Sequence, residues 1–434
     1  MPRLTKHLVA VPVLVAGMAL LAGQFSSAGP HHTHLKKPDH KGNVLIVHEW
    51  GTFTSMVGAN GIVLEGMQHA EEKLPRFVHT RTKEVADPFS SYGNRSVNQR
   101  AIRRTRTKME TPVIYFYSKK KRRVKVRVEY KKGLLSQYYP APSKSGPGDS
   151  ATINLAQLKK SFLEWDLDLL PGLDDSKFPK VGAHPYGYSR EVKATALRNR
   201  AGSNTPEYER FIFYRGLGHT TPPLVARARR NNRVTLYNNF AQAIPAAFAV
   251  EMRGNRGRFV TMGKVARGRS AAVNMNMQKF APKHRVVERL SAKVLATLVE
   301  LGLYKDEARA MVRTWAESWF ASEGTRFVYV VPNTWTNKVL PLTISPAPTS
   351  LVRVLVGRLD YLTPEHEAYV EKALLDRMSS SRRVREAAMH RLGRLGRFIE
   401  PKVRRILGKT RNRKVTTSAR QILAAIKRRA TARR

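Results

Sequence analysis

His48 and Glu49 stand side by side in HEWGTFTS (48–55), a run that holds an imidazole, a carboxylate, an indole and three hydroxyls in eight positions. Imidazole with carboxylate is the pair used for general acid/base work, and both groups ligate metals. A carboxylate/histidine hydrolase, metal-dependent or not, is therefore the reaction class that His48 and Glu49 would serve, with Trp50 as a wall. Glu110, ahead of TPVIYFY, and Glu323, ahead of Gly324, are the further acids that could complete it.

The obstacle is geometric. On an extended strand successive side chains point to opposite faces, so His48, Trp50, Thr52 and Thr54 share one and Glu49, Gly51, Phe53 and Ser55 the other. Only a bulge, which Gly51 could permit, would bring His48 and Glu49 together. Without one, Glu49 ends a buried strand and pairs with an arginine. Asp166 and Asp168 alternate with leucines in LEWDLDLL, the pattern of a solvated strand face. Trp315 and Trp319 are four residues apart on a helical stretch, the spacing of core anchors.

No G-x-S-x-G, H-E-x-x-H, P-loop or strand-linked G-x-G-x-x-G occurs, and there is no cysteine for a thiol nucleophile or zinc cluster. The sequence names no cofactor. Metal-ligating composition is confined to GPHHTHLKKPDHK (29–41), with His31, His32, His34 and His40. If the chain begins at Gly29 after processing, His31 becomes the third residue, as in amino-terminal copper chelates. Pro30 lacks the amide nitrogen that such chelates use.

The charge is lopsided, with 78 Lys and Arg against 32 Asp and Glu and a formal net charge of +46. Such a surface attracts polyanions. The candidate contacts are Lys119, Lys120, Lys121, Arg122 and Arg123 between two strand patterns, together with Arg382, Arg383, Arg404, Arg405, Arg428 and Arg429 in the tail. Further clusters are Arg100/Arg103/Arg104/Arg106/Lys108 and Arg227/Arg229/Arg230/Arg233.

The amino terminus says which polyanions matter. Arg3 and Lys6 precede an apolar stretch from Leu8 to Gly23 and the small-residue site Ser26-Ser27-Ala28, the layout of an export signal over 1–28. An uncleaved anchor is the alternative, although the stretch is short of the ~20 residues a span needs. An exported chain of the periplasm, envelope or surroundings meets anionic polysaccharide, lipopolysaccharide and anionic membrane surfaces before nucleic acid. With no cysteines, its stability must come from burial.

After the flexible leader (29–43), the pattern from 44 to 281 is mostly strands: VLIV leading into HEWGTFTSMV and the Asn60-Gly61 turn, TPVIYFYS, VKVRVEY, LEWDLDLL, RFIFYRG, RVTLYNN, AAFAVEM and GRFVTMG. SKSGPGDS (143–150) and 171–183 read as the loosest loops. The period turns helical at His284, with Val287, Leu290, Val294, Leu298 and Leu301 on one face, and a second helix over about 305–320 completes a hairpin. RFVYVV and LVRVLVGR are strands separated by PLTISPAP, and Thr363-Pro364-Glu365 opens a helix to about Met378. The segment 282–378 is thus expected to pack on the β domain.

The tail (379–434) has 19 Lys and Arg after Ser380 against Glu386 and Glu400 alone. VREAAMHRLGRLG lines up with VTTSARQILAAI at a spacing of 31, matching Ala388 with Ala419 and Leu392 with Leu423. With Ile399, Val403 and Ile406 between them, this resembles HEAT-type helical repeats, and a folded tail could hold a protein partner. The fold class expected is α+β, mainly antiparallel and sandwich-like, with a helical hairpin and a helical tail.

HEWGTFTS, METPVIYFYS (109–118), FIFYRGLG (211–218), GLYKDEARAMVRTWAESWFASEGTRFVYVVP (302–332), LPLTISP (340–346) and VRVLVGRLDYLTPE (352–365) together resemble an uncharacterised family of exported bacterial proteins. The resemblance implies an envelope or secreted location and carries over no catalytic residue. The functional expectation is a non-enzymatic exported protein that associates with anionic polymers or membrane surfaces, with the His48/Glu49 hydrolase and the tail scaffold as alternatives.

Overall fold

A computed structural model describes residues 44–65, 74–81, 105–147, 158–231, 233–395 and 399–432. The signal, the leader with its histidines, Arg100, Arg103 and Arg104 lie outside them, as do the side chains of Arg428 and Arg429. The described residues belong to one compact unit.

The strands in chain order are β1 (Ile46–Val57), β2 (His79–Thr80), β3 (Thr107–Met109), β4 (Val113–Tyr117), β5 (Arg122–Lys131), β6 (Gly133–Tyr139), β7 (Lys144–Gly146), β8 (Lys160–Leu170), β9 (Ala196–Asn199), β10 (Tyr208–Glu209), β11 (Ile212–Gly218), β12 (Leu224–Ala228), β13 (Arg233–Asn238), β14 (Ile244–Arg253), β15 (Arg256–Val265), β16 (Ser270–Asn274), β17 (Ala281–Pro282), β18 (Gly324–Val330), β19 (Leu342–Ser345) and β20 (Ser350–Tyr361). The helices are α1 (Lys283–Glu300), α2 (Lys305–Trp315), α3 (Asn333–Val339), α4 (Pro364–Asp376), α5 (Arg382–Leu395), α6 (Glu400–Lys409) and α7 (Arg413–Ala432). The chain is α+β, rich in antiparallel sheet, with helices toward the carboxyl terminus.

The largest sheet runs β17-β15-β14-β18-β20-β1-β3-β11-β6-β2, with β4 bridging β1 and β11. One face packs on a second sheet, β10-β9-β8-β5-β19 with β7 at β8, and on a third, β12-β13-β16, around Phe53, Val126, Trp165, Leu236 and Phe327. The other face is covered by α1 and α2 around Trp50, Val250, Leu290 and Trp315. Apolar side chains on both faces make β1 a central strand, and all twelve of its residues are buried. Its neighbour β20 is parallel to it; the other pairings are antiparallel.

Several expectations are corrected. Gly51 makes no bulge, because β1 and β20 pair without a register shift from Ile46↔Ser350 to Val57↔Tyr361. A Cβ at Gly51 would sit 2.8 Å from Leu355 Cδ1 and 2.9 Å from Pro112 Cα, so close packing is what requires glycine there. PLTISPAP contains an edge strand: Leu342 and Ile344 turn toward the core while Pro341 and Pro346 fall just outside β19, where a missing N–H breaks no ladder. Within SKSGPGDS, Lys144–Gly146 pairs with β8. Segment 282–378 does more than pack on the β domain, since β18 and β20 lie in the middle of the largest sheet.

The buried stripe of α1 is Val286, Leu290, Val294 and Leu298, with Val287 and Leu301 only half-buried at its margin. Helix α2 begins with the Glu307 carboxylate accepting from the Tyr304 amide at 2.7 Å, satisfying one of the donors a helix start leaves open. It ends in a π-turn over Ala316–Phe320, which carries Trp319 to within 5.2 Å of Trp315, ring to ring. Helices α4 to α7 share a separate core in which Val370 and Leu374 meet Ala388, Leu392, Ala419 and Leu423. The boundary expected after Met378 therefore cuts through a packed unit.

Candidate functional site

Strand β1 carries His48 and Glu49 to opposite faces, and each is held there by a different partner. On the helical side His48 Nδ1 lies 2.8 Å from Glu307 Oε2, and Tyr117 donates its hydroxyl to Glu307 Oε1 at 2.7 Å. The Tyr304 ring lies against the imidazole with centroids 4.5 Å apart. Burial and then the Glu307 charge push the Tyr117 hydroxyl well above its ordinary pKa, so it remains a donor. The carboxylate orients the imidazole in the manner of a catalytic base, but His48 is only 3% exposed and Glu307 0%. The group closes the seam between β1 and the start of α2.

Glu49 faces the other layer. Arg353 Nε donates to its Oε2 at 2.6 Å and the Tyr214 hydroxyl to its Oε1 at 2.5 Å. The remaining guanidinium nitrogens of Arg353 reach Asn337 Oδ1 at 2.6 Å and the Leu340 carbonyl at 2.8 Å. Glu49 is thus a saturated structural carboxylate, and the constellation that would unite it with His48 is not assembled.

Glu110 and Glu323 belong to a third neighbourhood, farther along β1 and beneath the π-turn. The amide of Glu110 bonds to the Thr52 carbonyl, its carboxylate lies 2.7 Å from Lys108 Nζ, and it accepts from Trp319 Nε1 at 2.9 Å. Burial pushes the Glu110 carboxyl up, but Lys108, assisted by Arg358 and Arg215, more than offsets this and holds it below the ordinary value. Arg326 reaches the carbonyls of Trp319 and Glu323 at 2.7 and 2.6 Å, and Arg358 reaches Asp360 at 2.8 Å. The Glu323 carboxylate caps the Gly254 amide at 2.8 Å. These groups tie the π-turn to the sheet. Among the described residues no group of three His, Asp or Glu is placed to hold a metal ion.

The acids on the wet face of the second sheet are also occupied. Asp166 pairs with Arg123, Asp168 with Arg198 and Arg200, and Glu164 with Arg127. Lys119, Lys120 and Lys121 form an exposed turn between β4 and β5, and Arg122 bonds the Val44 carbonyl. In the tail, Arg382 pairs with Glu386 and Arg404 with Glu400 on their own helices, whereas Arg383 is exposed and Arg405 is directed elsewhere.

That place is a groove the sequence did not signal. The turn after β1 is closed by Gly61 N to Gly58 O at 2.9 Å, and it is gripped from two sides. From β12, the Ala228 amide donates to the Ala59 carbonyl at 2.8 Å and Arg227 Nε to the Asn60 carbonyl at 3.0 Å. From α4, Glu367 accepts from the Ala59 amide at 3.2 Å. Helix α6 faces the same turn, leaving a groove of about 420 Å³ lined by Asn60, Glu367, Glu371, Lys402, Arg405, Ile406, Lys409 and Thr410. Lys402 is 2.9 Å from Glu371 and 3.9 Å from Glu367. Among the described residues no acid pairs with Arg405 or Lys409. Arg227, bonded to the Asn60 carbonyl, and Arg405 and Lys409, which line the groove with Asn60, are thus brought to one turn from more than 170 residues apart.

No helix among the described residues is long and apolar enough to cross a membrane. No family model matches the chain, and no curated protein matches it. Among solved structures, the yeast delta-COP-I mu-homology domain is similar over 75% of this chain and 100% of its own, at 8% identity and a TM-score of 0.26. The same domain complexed with a Dsl1 WxWxV peptide is similar over 74% of this chain and 98% of its own, at 6% identity and a TM-score of 0.25.

Proposed function

We propose that the protein is an exported, non-enzymatic component of the bacterial envelope or its surroundings that associates with anionic polymers. The observation that carries this reading is that Arg227, Arg405 and Lys409 are all brought to the turn after β1. Many of the acids described above are already engaged in ion pairs, so the large excess of basic residues dominates the field at the surface. The hydrolase centred on the His48/Glu49 pair is not favoured, because the two side chains lie on opposite faces of β1 and are held by different partners.

The test is retention of the full chain on a sulfated polysaccharide and on anionic vesicles across a salt series. The expected result is retention at physiological salt that falls steeply as salt rises, through counterion release. Replacing Arg227, Arg229, Arg230 and Arg233 by alanine should flatten that dependence. Absence of retention at physiological salt on either surface would overturn the proposal.

A protein partner at the tail is the second reading. It is favoured by Leu375, Met378 and Val384, large apolar side chains left exposed around the α4–α5 junction.

A further inference from the structure

We infer that the groove between α4 and α6 is a saccharide site that selects a sulfate or phosphate ester, with Arg405 and Lys409 holding the anionic group. The inference rests on the polyanion reading above and narrows it to one place and one ligand chemistry. At about 420 Å³ the groove lies within the roughly 300–1,000 Å³ range of small-ligand sites, room for a sugar unit or two.

The two walls differ in character. Arg405 and Lys409 stand on α6 without an acidic partner among the described residues, and a guanidinium presents the forked donors that match a tetrahedral oxyanion. Across the groove, Glu371 and Glu367 stand on α4 with Lys402 between them. Carboxylates repel a bare polyphosphate but accept hydrogen bonds from hydroxyls, as do the Asn60 side chain and Thr410. The fitting ligand carries an anionic ester at one end and hydroxyls at the other, which describes a sulfated or phosphorylated sugar.

Ile406 is the single apolar residue of the lining. No aromatic ring lines the groove, so hydrogen bonds and not stacking orient the sugar. Arg227, on the other side of the Asn60 turn, is placed to meet an anionic group on a neighbouring unit of the same polymer.

The test uses the full chain, calorimetry and a heparin-derived disulfated disaccharide, with the unsulfated disaccharide as control. The sulfated probe should bind at least about tenfold more tightly than the control, the scale of one charge-assisted hydrogen bond. Arg405→Ala with Lys409→Ala should weaken it by about tenfold or more, whereas alanine at Lys119, Lys120 and Lys121 should change it by less than about twofold. Glu371→Gln should tighten it, because Lys402 loses its nearest carboxylate and becomes available to the ester. A misfolded variant cannot bind more tightly, so this arm separates the site from a stability effect.

Lack of binding to the disaccharide, equal loss in both alanine variants, or no tightening in Glu371→Gln would each overturn the inference. If the long polymer is retained while the disaccharide is not bound, the groove assignment fails and the broader charge reading stands. If neither is held, both fail.

Discussion

Glu49 and Arg353 are register partners across the parallel pairing of β1 with β20, 304 residues apart, and their side chains close an ion pair of 2.6 Å inside the protein. Neither is more than 6% exposed. An unpaired charge at that depth costs far more than the pair contributes, because the remaining ion keeps its desolvation penalty and loses its partner. Glu49→Ala should therefore destabilise the protein by about 3–5 kcal/mol. Glu49→Leu combined with Arg353→Met should recover much of the loss, because it removes both charges and keeps the volume. Urea denaturation of Glu49→Ala and of the double variant measures this. A Glu49→Ala midpoint equal to the parent's would show that Glu49 does not hold β1 to β20.

Acid sensitivity should have a traceable component at Glu110. Burial alone would raise its pKa, yet Lys108, with Arg358 and Arg215, holds it below the ordinary glutamate value. A carboxyl depressed in the folded state contributes stability that is complete above its unfolded pKa and is lost as pH falls through the folded pKa. The loss thus falls on the acid side of the ordinary glutamate value while Lys108 is present. Lys108→Met leaves burial to raise that pKa, so it should lower the thermal midpoint most at neutral pH, and its gap from the parent should narrow as acid protonates Glu110, read across a pH series. Glu209 works in the opposite sense: burial outweighs Arg190 and raises its pKa, so its contribution is present at low pH and lost as pH rises through the folded value. A gap between Lys108→Met and the parent that stays constant across the series would refute the coupling.

These two sites also show what the sequence can and cannot convey. The alternation of VKVRVEY and LEWDLDLL placed Val124, Val126 and Val128 inside and Asp166 and Asp168 outside, because a strand with one wet face writes its orientation in its own pattern. The same two-residue period separated His48 from Glu49. The distant partners were illegible, since Arg353 and Glu307 are brought to Glu49 and His48 by sheet register and helix docking across hundreds of residues, whereas Lys108 stands only two residues from Glu110. The π-turn was hidden because Trp315 and Trp319 fit an α-helical spacing equally well. The groove was hidden for a related reason: its walls come from the Asn60 turn, α4 and α6, and no local motif encodes their meeting.

Gly51 offers a direct test of the central packing. Its backbone is ordinary extended strand, so the penalty for a side chain is purely steric, from Leu355 Cδ1 at 2.8 Å and Pro112 Cα at 2.9 Å. The proline contact is backbone and cannot swing away. Gly51→Ala should cost about 1–3 kcal/mol, the usual scale of overpacking in a well-filled core. Gly263→Ala, in contrast, has open space around its Cβ but a φ of +65°, so it should lose stability through backbone strain alone. Pairing Gly51→Ala with Leu355→Ala should relieve part of the steric cost, whereas pairing Gly263→Ala with Leu355→Ala should only add the two losses. Thermal denaturation of the four variants distinguishes steric from conformational cost.

The tail should unfold as a unit apart from the sheets. Leu392 lies 1% exposed in the core shared by α4, α5, α6 and α7, and this core is distinct from the two that flank the largest sheet. Leu392→Ala removes packing worth about 2–5 kcal/mol. Because that loss falls on a separate apolar cluster, amide exchange should accelerate in α4 to α7 and stay close to the parent rate in β1, β18 and β20. Truncation after Met378 should have the same signature in α4, since it strips Val370 and Leu374 of their partners on α5 and α7. It also removes α6 and with it Arg405 and Lys409, so lost binding in a truncated chain would combine lost charge with a frayed helix. Point variants that keep the tail folded separate the two, and exchange rates in α4 reveal whether they have. Uniform acceleration in Leu392→Ala, with the sheets opening along with the helices, would show that the tail and the β layers form one cooperative unit.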